Sequence, residues 1–277
     1  MFEQHQAILR LLSDDDPVTV SLVKEQLAEK GADAIPSIQA LLQVDNELVA
    51  QHVREVLAEI DSRAAKVELD AMCDDFAKSG DLEESNWLLA RILTPGADIP
   101  TCRRQLDHWG ERVAEITGGA TSPHERVRLM AEFLGHGLNL HGNAVDYYDP
   151  QNSLLTRVIE TRLGIPISLS LLYMLVGKRA GIEIEGVNFP GHFIVRHERV
   201  LFDPFERGRV ITVSECQAIL ARQKMTAKPV HFRRATNVTI FTRMLANLLY
   251  IFQTEGDERL AALFSNWIRR LQGQGEV

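Results

Sequence analysis

Residues 164–205 read GIPISLSLLYMLVGKRAGIEIEGVNFPGHFIVRHERVLFDPF, and their reading decides the fold. The first part predicts a buried helix from Pro166 to about Arg179. Proline suits a first helical position, where its missing N–H has no intrahelical partner to lose. Ile167, Leu169, Leu171, Leu172, Met174, Leu175 and Val176 leave the segment apolar nearly all round. Such a helix belongs at the centre of a domain rather than on its surface. Lys178 and Arg179 stand where cations favour a helix C-terminus, and Gly181 is placed to end it.

Three strands are predicted to follow: Glu183–Asn188, His192–His197 and Val200–Asp203. The last two form a hairpin across Glu198-Arg199. In a symmetric two-residue loop, Ile194 faces Asp203 and His192 faces Phe205. His192 and Asp203 then lie diagonally on one face, within reach of each other. A three-residue loop would shift the parity and part them. A carboxylate that fixes an imidazole is the orienting half of a nucleophilic triad.

A polar start to a central helix, then Gly191-His192 on a strand, then Asp203 on the next strand, resembles the order of site residues in the transglutaminase-like superfamily. That superfamily uses Cys, His and Asp on a papain-like fold. The strings DYYDPQNSLL (146–155), RLGIPISLSLLY (162–173), GVNFPGHFIVR (186–196) and FDPF (202–205) are similar to its SirB-type bacterial branch. Members of that branch often end in a tetratricopeptide-type tail. LLARILTPGADI (88–99) and QLDHWGERV (105–113) extend the likeness, which covers roughly Trp87–Leu220. The resemblance implies that His192 and Asp203 are the family His and Asp. It also puts DYYDPQNS beside the site, with Asn143, Asp146, Tyr147, Tyr148, Asn152 and Pro166 lining the cleft. The alternative for that loop is structural, with its Asx and Tyr side chains satisfying buried backbone. By the family's spacing the nucleophile falls among Pro166, Ile167 and Ser168, and none of these is Cys.

The whole sequence narrows the classes. With 277 residues, 45% hydrophobic and 25% charged, it reads as a globular protein of one large domain or two smaller ones. The N-terminus lacks a basic region followed by a long apolar core, so no signal peptide is expected. The longest apolar run, near Ile165–Gly177, is too short to span a bilayer, and no membrane partner is expected. Cys73, Cys102 and Cys216 are an odd number without metal-ligand spacing. They point to a reducing cytoplasm, with no metal and no cofactor expected. The net charge of −8 is uneven: acids crowd the first half, while Cys216 to Thr254 contains none beside Arg222, Lys224, Lys228, Arg233, Arg234 and Arg243. Either the two halves steady each other, or the basic stretch faces an anionic partner. No aromatic-interleaved or groove-reading motif accompanies it, which argues against nucleic acid.

Residues 1–84 predict a helical N-terminal region, 85–232 the transglutaminase-like core and 233–277 a tetratricopeptide-like helical pair. Pro17 opens one N-terminal helix, and Asp14-Asp15-Asp16 reads as a solvated turn with an N-cap. Val67, Met72 and Phe76 are expected on one apolar stripe. Ser122-Pro123 opens a helix to about Leu134, followed by a long loop, 135–151. In the C-terminal pair, Asn247, Gly256-Asp257 and Ala261-Ala262 fall at tetratricopeptide offsets, but one such unit cannot bury its own face.

The fold expected is therefore α+β, mostly helical, with a small antiparallel sheet. Three functions stay open. The first is a degenerate transglutaminase-like cleft that binds a protein or peptide. The second is a hydrolase or acyltransferase using Ser168, His192 and Asp203. The third is a structural role for the acidic helices in a larger assembly. Ser168 in the first helical turn could serve as a nucleophile only through its base. Serine at that position is also a common first-turn hydrogen bonder.

Overall fold

A computed structural model of the protein describes residues 2–222 and 224–273. The polypeptide forms two compact units, one of Met1–Ala71 with Trp87–Ala97, the other of Met72–Asn86 with Asp98–Val277. The opening helices are α1 (Phe2–Leu12), α2 (Pro17–Glu29), α3 (Ile35–Gln39) and α4 (Glu47–Asp74). Asp16 caps α2 through the N–H groups of Val18 and Thr19. Leu12, Leu27, Ile38, Leu41, Val53 and Ile60 fill the core between these helices. α4 ends at Asp74, inside the expected stripe, so Phe76 belongs to a separate helix, and Val67 is 68% exposed. On α4 itself, Leu69 lies about 200° round from Val67 at 3.6 residues per turn, and it is the buried one. The stripe that is buried consists of Ala65, Leu69, Cys73 and Phe76.

The second unit is built around the predicted central helix. Its helices before that point are α5 (Phe76–Ser79), α6 (Leu82–Leu93, shared with the first unit), α7 (Ile99–Thr117), α8 (Pro123–Ala131) and α9 (Leu155–Thr161). α8 passes into one π-helical turn, Glu132–Gly137. Two short parallel strands, β1 (His141–Gly142) and β2 (Leu163–Gly164), pair across the loop that follows. The central helix, α10 (Pro166–Arg179), buries Leu171, Leu172, Tyr173 and Val176 completely, so every side of it meets protein. It ends in a Schellman motif: the Ile182 N–H bonds the Gly177 carbonyl at 2.8 Å, while Gly181 takes φ 72°.

A four-stranded antiparallel meander packs on α10, in the order β3 (Glu185–Val187), β4 (Ile194–His197), β5 (Val200–Asp203), β6 (Arg209–Ile211). Three strands are expected: Val200–Asp203 is β5 as observed, while the other two are shorter than expected and a fourth is added. The outer parts of Glu183–Asn188 fall outside the ladder, and His192 lies in the turn before β4. β6 escapes sequence reading because three residues are too few for alternation to register. Glu198-Arg199 is a two-residue turn with Val195 opposite Phe202 and His197 opposite Val200, so the parity assumed from sequence is the one observed.

α11 (Val213–Arg222) closes the outer face of the sheet over Phe189, Ile194, Leu201 and Ile211, with Cys216 as a filler of that core. Its first turn carries Glu215, which accepts from Arg209 and from the Thr212 N–H and hydroxyl. The Arg209 guanidinium, then the Thr212 contacts, hold this carboxyl down at about 2 against an ordinary 4.5. Its folded value lies below its unfolded one, so its stabilising share is present above about pH 4.5 and is lost as pH falls towards 2. Carboxyl-carbon NMR of Glu215 should give a midpoint near 2, rising in Arg209→Gln. A midpoint already at 4.5 in the parent protein would show that these contacts do not hold in solution.

The last helices are α12 (Asn237–Glu255) and α13 (Glu258–Gln272), packed side by side. Gly256 at φ 78° ends α12, and Asp257 caps α13 through the Leu260 N–H. Phe252, Phe264 and Trp267 stack edge-on between them, and Phe241 stacks face to face on Phe76 at 4.9 Å. Among the described residues no helix is long and apolar enough to cross a membrane.

Candidate active site

His192 and Asp203 meet. Nε2 of His192 donates to Oδ2 of Asp203 at 2.6 Å, and the Asp203 side group is only 8% exposed. The other oxygen of Asp203 accepts the Phe205 N–H at 2.9 Å, which fixes the carboxylate at the end of β5. A carboxylate only accepts, so Nε2 carries a proton and neutral imidazole presents Nδ1 as an acceptor. Phe205 stands edge-on to the His192 ring at 6.1 Å. A Cβ on Gly142 would collide with the Phe205 ring, so β1 must carry glycine there.

The loop before α9 packs beside this pair. Asn152 organises it: its amide donates to the Asp146 carbonyl at 2.6 Å and its Oδ1 accepts from Asn143 at 3.1 Å. Asn143 in turn accepts the Asp146 N–H at 3.0 Å. Asn143, Asp146 and Asn152 thus bond to one another within the loop. Tyr147 and Tyr148 face outward. Tyr148 is 61% exposed and meets Tyr250 of α12, while Tyr147 meets Phe205 at 6.3 Å. Burial pushes the Tyr147 phenol up, with the nearby Arg243 charge pulling the other way.

Pro166 is the buried first residue of α10. Ser168 is fully buried two residues on. Its hydroxyl donates to the Asn152 carbonyl at 2.6 Å, with the Ile165 carbonyl at 3.1 Å, and accepts the Ile165 N–H at 3.1 Å. No hydrogen bond joins it to His192 among the described residues. The cysteines stand apart in α4, α7 and α11, and burial pushes the Cys102 and Cys216 thiols up, away from thiolate. Among the described residues no group of three His, Cys, Asp or Glu side chains could hold a metal ion. A cavity of about 620 Å³ lined by Gly80, Leu171, Met174, Lys178 and Asn237 contains neither His192 nor Asp203.

Residues 100–246, over half the sequence, match the model of the Transglutaminase-like superfamily. The protein belongs to that superfamily. The protein is 34% identical to the UPF0162 protein of Pseudomonas aeruginosa over 189 residues, 65% of this protein and 67% of that one. The UPF0162 protein of Xylella fastidiosa (strain Temecula1) is 34% identical over 164 residues, 55% of this protein and 58% of that one. F-box only protein 21 of Mus musculus is 36% identical over 132 residues, 43% of this protein but 20% of that one. The match thus spans a little over half of the Xylella relative and one fifth of the mouse one. No solved structure matches it.

Three residues near the His192–Asp203 pair or the Tyr147–Tyr148 rings carry little signal in the sequence. Tyr173 lies fully buried near Asp203, with no partner for its hydroxyl among the described residues. Tyr250 completes the aromatic rim from a helix far along the polypeptide. Arg243 stands beside Tyr147, and its one sequence signal is the acid-free stretch around it.

Proposed function

We propose that this protein binds a protein or peptide segment through a transglutaminase-like cleft that has lost its nucleophile. The observation that carries the reading is Ser168: its hydroxyl is sealed from solvent and donates its proton to a backbone carbonyl. A nucleophile has to be exposed to its base and to the substrate. The exposed Tyr147, Tyr148 and Tyr250 supply what a recognition surface uses, large rigid rings with a polar tip. The SirB-type assignment, a cytoplasmic setting, the division at 84 and 232 and the tetratricopeptide character of 233–277 belong to the same reading. His192 and Asp203 then act as a fixed polar floor.

The rival is a hydrolase or acyltransferase, favoured by the 2.6 Å His192–Asp203 bond. It needs Ser168 to leave both carbonyls and turn to Nδ1. A serine-directed fluorophosphonate, mapped by mass, separates the two. The expected result is no adduct at Ser168. In parallel, selection from a random tetrapeptide library should return binders that Tyr148→Ala loses. Labelling of Ser168 that disappears in His192→Ala would establish the enzyme and overturn the binding reading.

A further inference from the structure

We infer that Arg243 reads an anionic group in this cleft, and that the bound segment presents a carboxylate to it, either its own terminal carboxyl or that of an Asp or Glu residue. The inference rests on the peptide-binding reading above and names the chemistry of its partner. Arg243 projects from α12 and is half-buried. Its Nη1 donates to the Phe189 carbonyl at 3.1 Å and to the Asn188 amide oxygen. The same Phe189 carbonyl accepts the backbone N–H of His192 at 3.0 Å. The guanidinium and the backbone of His192 therefore hang from one carbonyl oxygen. On its other flank Arg243 lies near Tyr147, whose ring meets Phe205, whose ring meets His192. These residues close a ring.

Among the described residues the charge in that ring has no counter-ion. The guanidinium lies 5.6 Å from the Phe193 ring centroid, and no carboxylate is within ion-pair distance among the described residues. Burial disfavours its charged form, and the acid-free run from Cys216 to Thr254 offers nothing local to offset that. A guanidinium carries five N–H donors, and the hydrogen bonds to Asn188 and Phe189 use only Nη1. The planar fork left over matches a carboxylate, which it can hold by two parallel bonds. The ring contains no lysine and no second arginine, so a monoanion fits it better than a phosphate dianion.

The full-length protein should be challenged with a random tetrapeptide library made once as free acids and once as C-terminal amides, with retained peptides read by mass. Enrichment of free acids assigns the peptide's terminal carboxyl, and enrichment of Asp- or Glu-containing amides assigns an internal one. Arg243→Gln should lower that carboxylate preference about tenfold, the scale of a charge-assisted bidentate contact, while Arg243→Lys keeps part of it. The His192 ring proton spectrum and the melting curve show whether each variant keeps the fold; Arg243→Lys carries the test if Arg243→Gln does not. Peptides retained without carboxylate preference would overturn this inference and leave peptide binding standing. Phosphopeptides retained more tightly than carboxylates from a phosphorylated library would overturn it as well. A library from which nothing is retained would remove both readings.

Discussion

Leu172→Ala is expected to cost about 2–5 kcal/mol of unfolding free energy, the range for large-to-small changes at fully buried sites. Leu172 is 0% exposed at the middle of α10, which is packed by α7, by the sheet and by α12. The neighbours come from separate elements, each held by its own contacts, so the void left by the missing atoms cannot close cheaply. Urea denaturation of the two proteins measures the difference. The same substitution at Leu48, 51% exposed, provides the contrast and should stay within about 0.5 kcal/mol. A loss at Leu172 as small as that at Leu48 would mean that α10 is not the core helix.

The second large effect is expected at Arg179. Its Nη1 and Nη2 donate to the two oxygens of Glu83 at 2.9 and 2.7 Å, and Nε donates to Asp107 at 2.7 Å. The Glu83 and Arg179 side groups are 11% and 19% exposed, so the pair is screened little by water. Hydrogen bonding to Glu83, then Asp107, raises the affinity of the guanidinium for its proton. Gly110 of α7 lets the helices approach closely, since a Cβ there would overlap the Cβ of Arg179. Removing the cation leaves Glu83 desolvated without its two-bond partner, while Arg103 stays at 3.6 Å. Arg179→Met should therefore cost about 2–4 kcal/mol, slightly under the usual penalty for breaking a buried pair. Glu83→Met/Arg179→Met should cost less than Arg179→Met alone, because the carboxylate then left without its arginine, Asp107, is 60% exposed and stays solvated. A double variant less stable than the single would show that the pair contributes net attraction beyond relief of desolvation.

Much of this architecture was legible in the residues. α10 could be read end to end, because proline at its start, apolar residues on all sides and glycine beyond its end all agree. The hairpin register followed from one condition, the length of the Glu198-Arg199 turn, since side chains alternate with period two. These features are local: each rests on neighbours in sequence. What lay beyond reach depends on which surfaces meet. Val67 has the look of a core residue until the unbroken α4 sets its angle. Ser168 had two readings, and only its burial against the Asn152 carbonyl, sixteen residues earlier, shows where its proton goes. The ring of His192, Phe205, Tyr147 and Arg243 draws on a loop, a strand end and a C-terminal helix. A sequence states which of these groups exist and how each prefers to lie along its own element. Distance and desolvation between groups far apart in sequence arise from packing, and they decide whether a hydroxyl is a cap and whether a guanidinium lacks a counter-ion.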